Sequence, residues 1–150
     1  MAQFGDRLVQ AVRRTNTPTL VGIDPRLANL PDPIRPTASD PSAEQIADAY
    51  LTFSKGIIDV VASLVPAVKP QSAFFEQIGP CGVRALGEVV QYAQQQGLLV
   101  IMDAKRNDIG STAAAYAHAY LGPRGSNSLT SDCLTVSPYL GQDSIEPFLE

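Results

Sequence analysis

The chain has 150 residues, 45% apolar and 17% charged, which excludes a disordered or fibrous protein and suits one buried core. A formal net charge of −4, a single histidine and no cluster of Lys or Arg exclude the electrostatic footprint of a nucleic-acid or acidic-membrane partner, and favour a small molecule. Cys81 and Cys133 stand far apart with no CxxC pair and no nearby histidine, so neither a disulfide framework nor a metal-ligand set is expected.

In chain order, MAQFGDRLVQAVRR spreads acids and polar residues among its apolar ones, which reads as a first helix and lead-in over 1–18, with Arg13 and Arg14 solvated. No apolar run approaches the roughly 18 residues of a membrane span, so a soluble, untargeted, cytoplasmic protein with reduced thiols is expected. TLVGIDPR is a short apolar run ended by Asp24 and Pro25, a buried strand entering a proline-rich loop. Asp40 and Pro41 predict an N-cap and first helical residue. From there Ile46, Tyr50, Phe53, Ile57, Val60 and Leu64 recur at steps of three and four, predicting one buried stripe on a helix running to about Ser63.

The first half of PAVKPQSAFF predicts a second strand with Lys69 at its end, although prolines are disfavoured in central strands. Pro80 opens a helix with Val83, Leu86, Val90 and Ala93 on one face, and Gly97 closes it. LLVIMD is a third strand, apolar on both faces as parallel strands are. STAAAYAHAYL predicts a helix, CLTVSPYLG a fourth strand, and SIEPFLE the start of another helix. Strands alternating with helices imply a parallel sheet with right-handed crossovers, either open and doubly wound or closed into a barrel. No glycine-rich phosphate loop follows any strand, whereas Asp24, Lys69 and the pair Asp103 and Lys105 place charge at three strand ends. Charges converging from several strands suit the C-terminal face of a (β/α)8 TIM barrel, which takes roughly 250 residues. Residues 1–150 therefore read as the N-terminal half of one barrel domain, with strands 1–4 and their helices over 19–150.

Asp103 and Lys105 are two apart on a strand and can share its inward face. An opposite charge nearby favours the ionised form, so Lys105 is expected to be an ammonium and a proton donor. Lys69 and Asp108 extend the pair into a Lys-Asp-Lys-Asp array. The plain alternative is a structural salt-bridge network, but buried ion pairs are poor stability devices because desolvation costs several kcal/mol per ion. A ligand is the better explanation for four charges at a barrel mouth.

The segment IMDAKRNDIGST resembles the signature of the orotidine 5′-phosphate decarboxylase family, in which Asp-x-Lys-x-x-Asp-[Ile/Val]-Gly-x-Thr follows the third barrel strand. VKPQSAFFEQIG resembles the second-strand segment of the bacterial subgroup and VGIDPR its first strand, so the likeness runs through nearly the whole chain. The resemblance implies a carboxy-lyase that converts orotidine 5′-monophosphate to uridine 5′-monophosphate in pyrimidine synthesis, with no cofactor and no metal. It assigns Lys105 as the acid that protonates C6, and Asp103 a place beside the departing carboxylate. Lys69 would hold Asp103 and a ribose hydroxyl, and Asp24 would contact the sugar. It also implies a homodimer in which Asp108 and Thr112 reach the second subunit's site. The family's phosphate grip and pyrimidine loop have no counterpart here and are expected after Glu150, so residues 1–150 alone should be inactive.

Two other readings stand beside this one. Magnesium-dependent sugar-phosphate decarboxylases and aldolases of the same superfamily share Asp-x-Lys-x-x-Asp, but KPQSAFFE argues against them. A noncatalytic half-barrel is the second. His118 reads as a packed or surface histidine, Tyr116 and Tyr120 as one packing stripe, and Ser137 is left open between the site and the loop.

Overall fold

The computed structural model describes residues 3–149. Helix α1 (Phe4–Thr15) leads into strand β1 (Leu20–Ile23), followed by α2 (Ala43–Val61), β2 (Ala67–Pro70), α3 (Ser72–Glu76) and α4 (Pro80–Gln95). Strand β3 (Leu99–Arg106), helix α5 (Gly110–Leu121) and strand β4 (Cys133–Val136) complete the order. The four strands form one sheet in the order β1-β2-β3-β4, every neighbouring pair parallel. The alternation expected from sequence is therefore present, as four parallel strands with helices between them.

Alternating strand residues divide the sheet into two faces. Val68, Val100 and Met102 on one face are fully buried with Ile58 of α2, Phe75 of α3 and Leu86, Val89 and Val90 of α4. The Phe75 ring meets Tyr50 edge-on, with centroids 6.0 Å apart, an orientation that aligns ring edge with ring face. On the other face Ala67 and Leu99 are buried beneath Ala11, with Phe4 and Leu8 packed alongside, so α1 closes the N-terminal end of the concave side. The C-terminal ends of the strands stay open, and there the charged residues stand.

Several boundaries differ from the sequence reading. Ser42, not Asp40, caps α2: its hydroxyl accepts from Gln45 N at 3.3 Å, and Gln45 Oε1 accepts from Ser42 N at 2.9 Å. This reciprocal pair satisfies two backbone donors at once, which the Asp40–Pro41 alternative does not. The buried face of α2 is also rotated, centring on Ala47, Tyr50, Ser54 and Ile58, while Val60 and Leu64 are exposed. Ser54 is tolerated there because its hydroxyl donates to Tyr50 O at 2.6 Å. Helix α3 was not foreseen. It packs tightly on α4 because Gly82 lacks a side chain, and a Cβ there would collide with the Phe75 carbonyl. The fourth strand stops at Val136, since Pro138 begins a 3₁₀ turn, and Glu146–Phe148 is a further 3₁₀ turn rather than an α-helix. Arg14 is not simply solvated: it donates to Gly97 O at 3.0 Å, tying α1 to the turn where Gly97 adopts φ 79°.

Candidate active site

Asp103 is the centre of the site, 5% exposed on the concave face of β3. A carboxylate so removed from water needs hydrogen-bonding partners for its charge. It has four. Oδ2 accepts from Lys69 Nζ on β2 and from Gln71 Nε2 at 3.2 Å; Oδ1 accepts from Lys105 Nζ and from Thr135 Oγ1 of β4 at 2.9 Å. Three adjacent strands thus converge on one carboxylate. The two ammonium groups differ in access, with side-chain exposures of 28% for Lys69 and 59% for Lys105. Lys105 is the more open of the two to solvent.

Lys105 reaches this position through an irregularity. Between the pairs Met102–Leu134 and Arg106–Val136, β3 advances four residues while β4 advances two. The excess bulges out at Asp103–Lys105, and Lys105 takes φ 50°, a left-handed conformation costing about 1–3 kcal/mol for a residue with a side chain. Such a conformation persists only where its surroundings fix it. Lys105 N donates to Thr135 Oγ1 at 3.1 Å on the concave side. On the convex side Arg106 is gripped by Glu76 and donates to Tyr120 Oη at 3.0 Å and Ala104 O at 2.8 Å. Its guanidinium also lies over the Tyr116 and Tyr120 rings, so the tyrosine stripe expected of α5 is present and serves as a seat for Arg106. Burial disfavours the Arg106 charge, but Tyr120 and Glu76 outweigh it, and its pKa is raised above the ordinary arginine value.

The remaining predicted residues stand apart from this cluster. Asp24 is exposed just after β1, its Oδ1 beside the place a side chain on Gly22 would take, and the register partner of Gly22 is Lys69. Asp108 joins no ion pair among the described residues and accepts from its neighbour Ile109 N at 2.8 Å, so the array is Lys-Asp-Lys and not the four-membered one expected. Thr112 is exposed in the first turn of α5. Ser137 is half-buried, its backbone N–H donating to Arg106 O at 3.1 Å. His118 is exposed on α5 and lines a broad groove with Arg7, Arg14 and Arg124 at the opposite end of the strands. That groove is distant in kind from the charged cluster, because its buried carboxylate, Asp132, is already held by Arg7, Arg124 and Val100 N. Burial raises the Cys133 thiol above its ordinary value, which keeps it protonated at neutral pH. Among the described residues no group of three His, Cys, Asp or Glu side chains is placed to hold a metal.

Gln71 and Thr135 were missed in the sequence. Each carried a faint signal: Gln71 follows Lys69 by two on the same side of the strand, and Thr135 is the polar residue of an apolar strand.

Four parallel strands alternating with helices, with a Lys-Asp-Lys cluster at their C-terminal ends, match half of a (β/α)8 barrel. Residues 48–150 match the Orotidine 5′-phosphate decarboxylase / HUMPS family, and the chain belongs to that family. It is 56% identical over 152 residues to the orotidine 5′-phosphate decarboxylase of Rhodopirellula baltica, an alignment covering 100% of this chain and 50% of the relative. With that of Caldicellulosiruptor saccharolyticus it shares 38% identity, covering 100% of this chain and 52% of the relative. The solved structure of Leishmania donovani OMP decarboxylase superposes with a TM-score of 0.76 at 32% identity, covering 99% of this chain and 49% of the other. The chain therefore spans about half the length of the curated relatives it matches.

Proposed function

We propose that the protein to which residues 1–150 belong decarboxylates orotidine 5′-monophosphate to uridine 5′-monophosphate, the activity its relatives' names carry, and that it does so without a cofactor. The observation that carries this reading is the exposed Lys105 ammonium tethered to the buried Asp103 carboxylate at the strand ends. Breaking the bond between C6 and its carboxylate releases carbon dioxide and leaves an electron pair on an sp² carbon with no adjacent carbonyl to delocalise it. A fixed ammonium stabilises that charge as it develops. Lys105 then gives its proton to C6, becomes a neutral amine, and is reprotonated from solvent. Asp103 lies beside the departing carboxylate and orients both lysines, Lys69 also meets a ribose hydroxyl, and Asp24 meets the sugar.

In the same reading residues 1–150 are the first half of one barrel domain, 1–18 its lead-in helix and 19–150 its first four units. The whole protein is a cytoplasmic homodimer in which Asp108 and Thr112 complete the partner's site. Their position at the start of α5, off the Lys-Asp-Lys cluster, supports this. No helix among the described residues is long and apolar enough to cross a membrane. The relatives' names do not favour a magnesium-dependent sugar-phosphate enzyme. Turnover of orotidine 5′-monophosphate by the full-length protein, unchanged in EDTA, is the expected result. Activity lost in EDTA and restored by magnesium would move the protein to the sugar-phosphate branch.

A further inference from the structure

The Thr135 hydroxyl bridges the backbone of Lys105 and the Asp103 carboxylate. It accepts from the backbone N–H of Lys105 at 3.1 Å and donates to Asp103 Oδ1 at 2.9 Å, the same oxygen that receives Lys105 Nζ. The result is a closed circuit: both ends of Lys105, its backbone amide and its ammonium, are referred to one carboxylate oxygen through one hydroxyl. Lys105 needs such a restraint on two counts. Its φ of 50° is disfavoured for a residue with a side chain, and its side chain is largely exposed, with long flexible torsions to order.

We infer that Thr135 is a positioning residue for the proton-donating lysine, its hydroxyl holding the β3 bulge in the one backbone setting that aims Lys105 at the reacting carbon. Thr135 touches no reacting atom in this scheme. It acts through Lys105, and the inference rests on the decarboxylase reading above. A threonine suits the role because its branched β-carbon fits a strand, while its single hydroxyl both donates and accepts. Valine keeps the shape and removes both hydrogen bonds, and serine keeps both and removes only a methyl group.

The test uses full-length wild-type, Thr135→Val and Thr135→Ser proteins, with kcat, KM and thermal midpoint measured for each. A misplaced catalytic group costs about a hundredfold in rate per ångström. Thr135→Val is therefore expected to lower kcat about tenfold to a hundredfold with KM changed by less than about threefold, and Thr135→Ser to recover most of the loss. If valine prevents folding, Thr135→Ala against Thr135→Ser isolates the hydroxyl in the same way. An active wild type whose kcat is insensitive to loss of the hydroxyl overturns the role of Thr135 alone, as does a loss that serine fails to restore. An inactive wild type overturns the decarboxylase reading and this inference with it.

Discussion

At the scale of single residues, Asp103 and Lys105 differ in how firmly each is held. The carboxylate is buried and held by four donors, so it stays where the strands put it; the ammonium is tethered at one end and open at the other. Lys105→Ala in the full-length protein removes an exposed side chain and leaves the convex core untouched, so the fold should survive. The predicted consequence is a loss of at least about 10² to 10³ in kcat, the scale on which one preorganised charge-stabilising donor acts. Steady-state kinetics on orotidine 5′-monophosphate, with circular dichroism to verify folding, checks it. A variant within tenfold of wild type would remove Lys105 from the chemistry. Asp103 cannot be tested so simply, because its removal releases two ammonium groups, an amide and a hydroxyl together.

At the scale of elements, the two ends of the sheet carry two different buried carboxylates. Asp103 serves the open C-terminal end, while Asp132 at the N-terminal end of β4 joins Arg7 of α1, Arg124 and Val100 N of β3 at 2.9 Å. Its side chain is 1% exposed, so its loss strands part of the charge of two arginines and one backbone donor. Asp132→Ala should destabilise the full-length protein by about 2 kcal/mol without changing KM, measured by denaturant unfolding. Strands β1 to β4, the α4 stripe and the Gly97 stop were readable in the sequence because their signals are local: short apolar runs, a 3.6-residue period and a residue that accepts positive φ. The β3 bulge was not, because no glycine marks it and the forces that hold Lys105 at φ 50° come from β4, α3 and α5. Thr135 and Gln71 carried only faint signals for the same reason, since each acquires meaning only when its strand is laid beside Asp103. The rotated face of α2 follows likewise from packing, with a satisfied serine displacing a valine from the core.

At the scale of the whole molecule, the described sheet has β1 and β4 at its two edges, and parallel strands are normally paired and covered on both faces. In the relatives, which are about twice as long, further chain is available to cover them. The Lys-Asp-Lys cluster lies within these four strands, yet Asp108 and Thr112, which the signature groups with it, stand outside it at the start of α5. In the proposed homodimer a second subunit would account for this, the turn before each α5 delivering Asp108 to the neighbouring mouth while Lys105 stays at home. Two-fold symmetry would then make every site a sum of two chains. Full-length Lys105→Ala and Asp108→Ala proteins should each be nearly inactive alone. Mixed in equal amounts and allowed to exchange subunits, half of the dimers carry one variant of each kind, and each mixed dimer has one site with both groups intact. Activity should therefore return to about a quarter of the wild-type level. No recovery, once mass spectrometry has demonstrated exchange, would return Asp108 to the site of its own chain and leave the orientation of the β3–α5 turn to be explained by closure within one barrel.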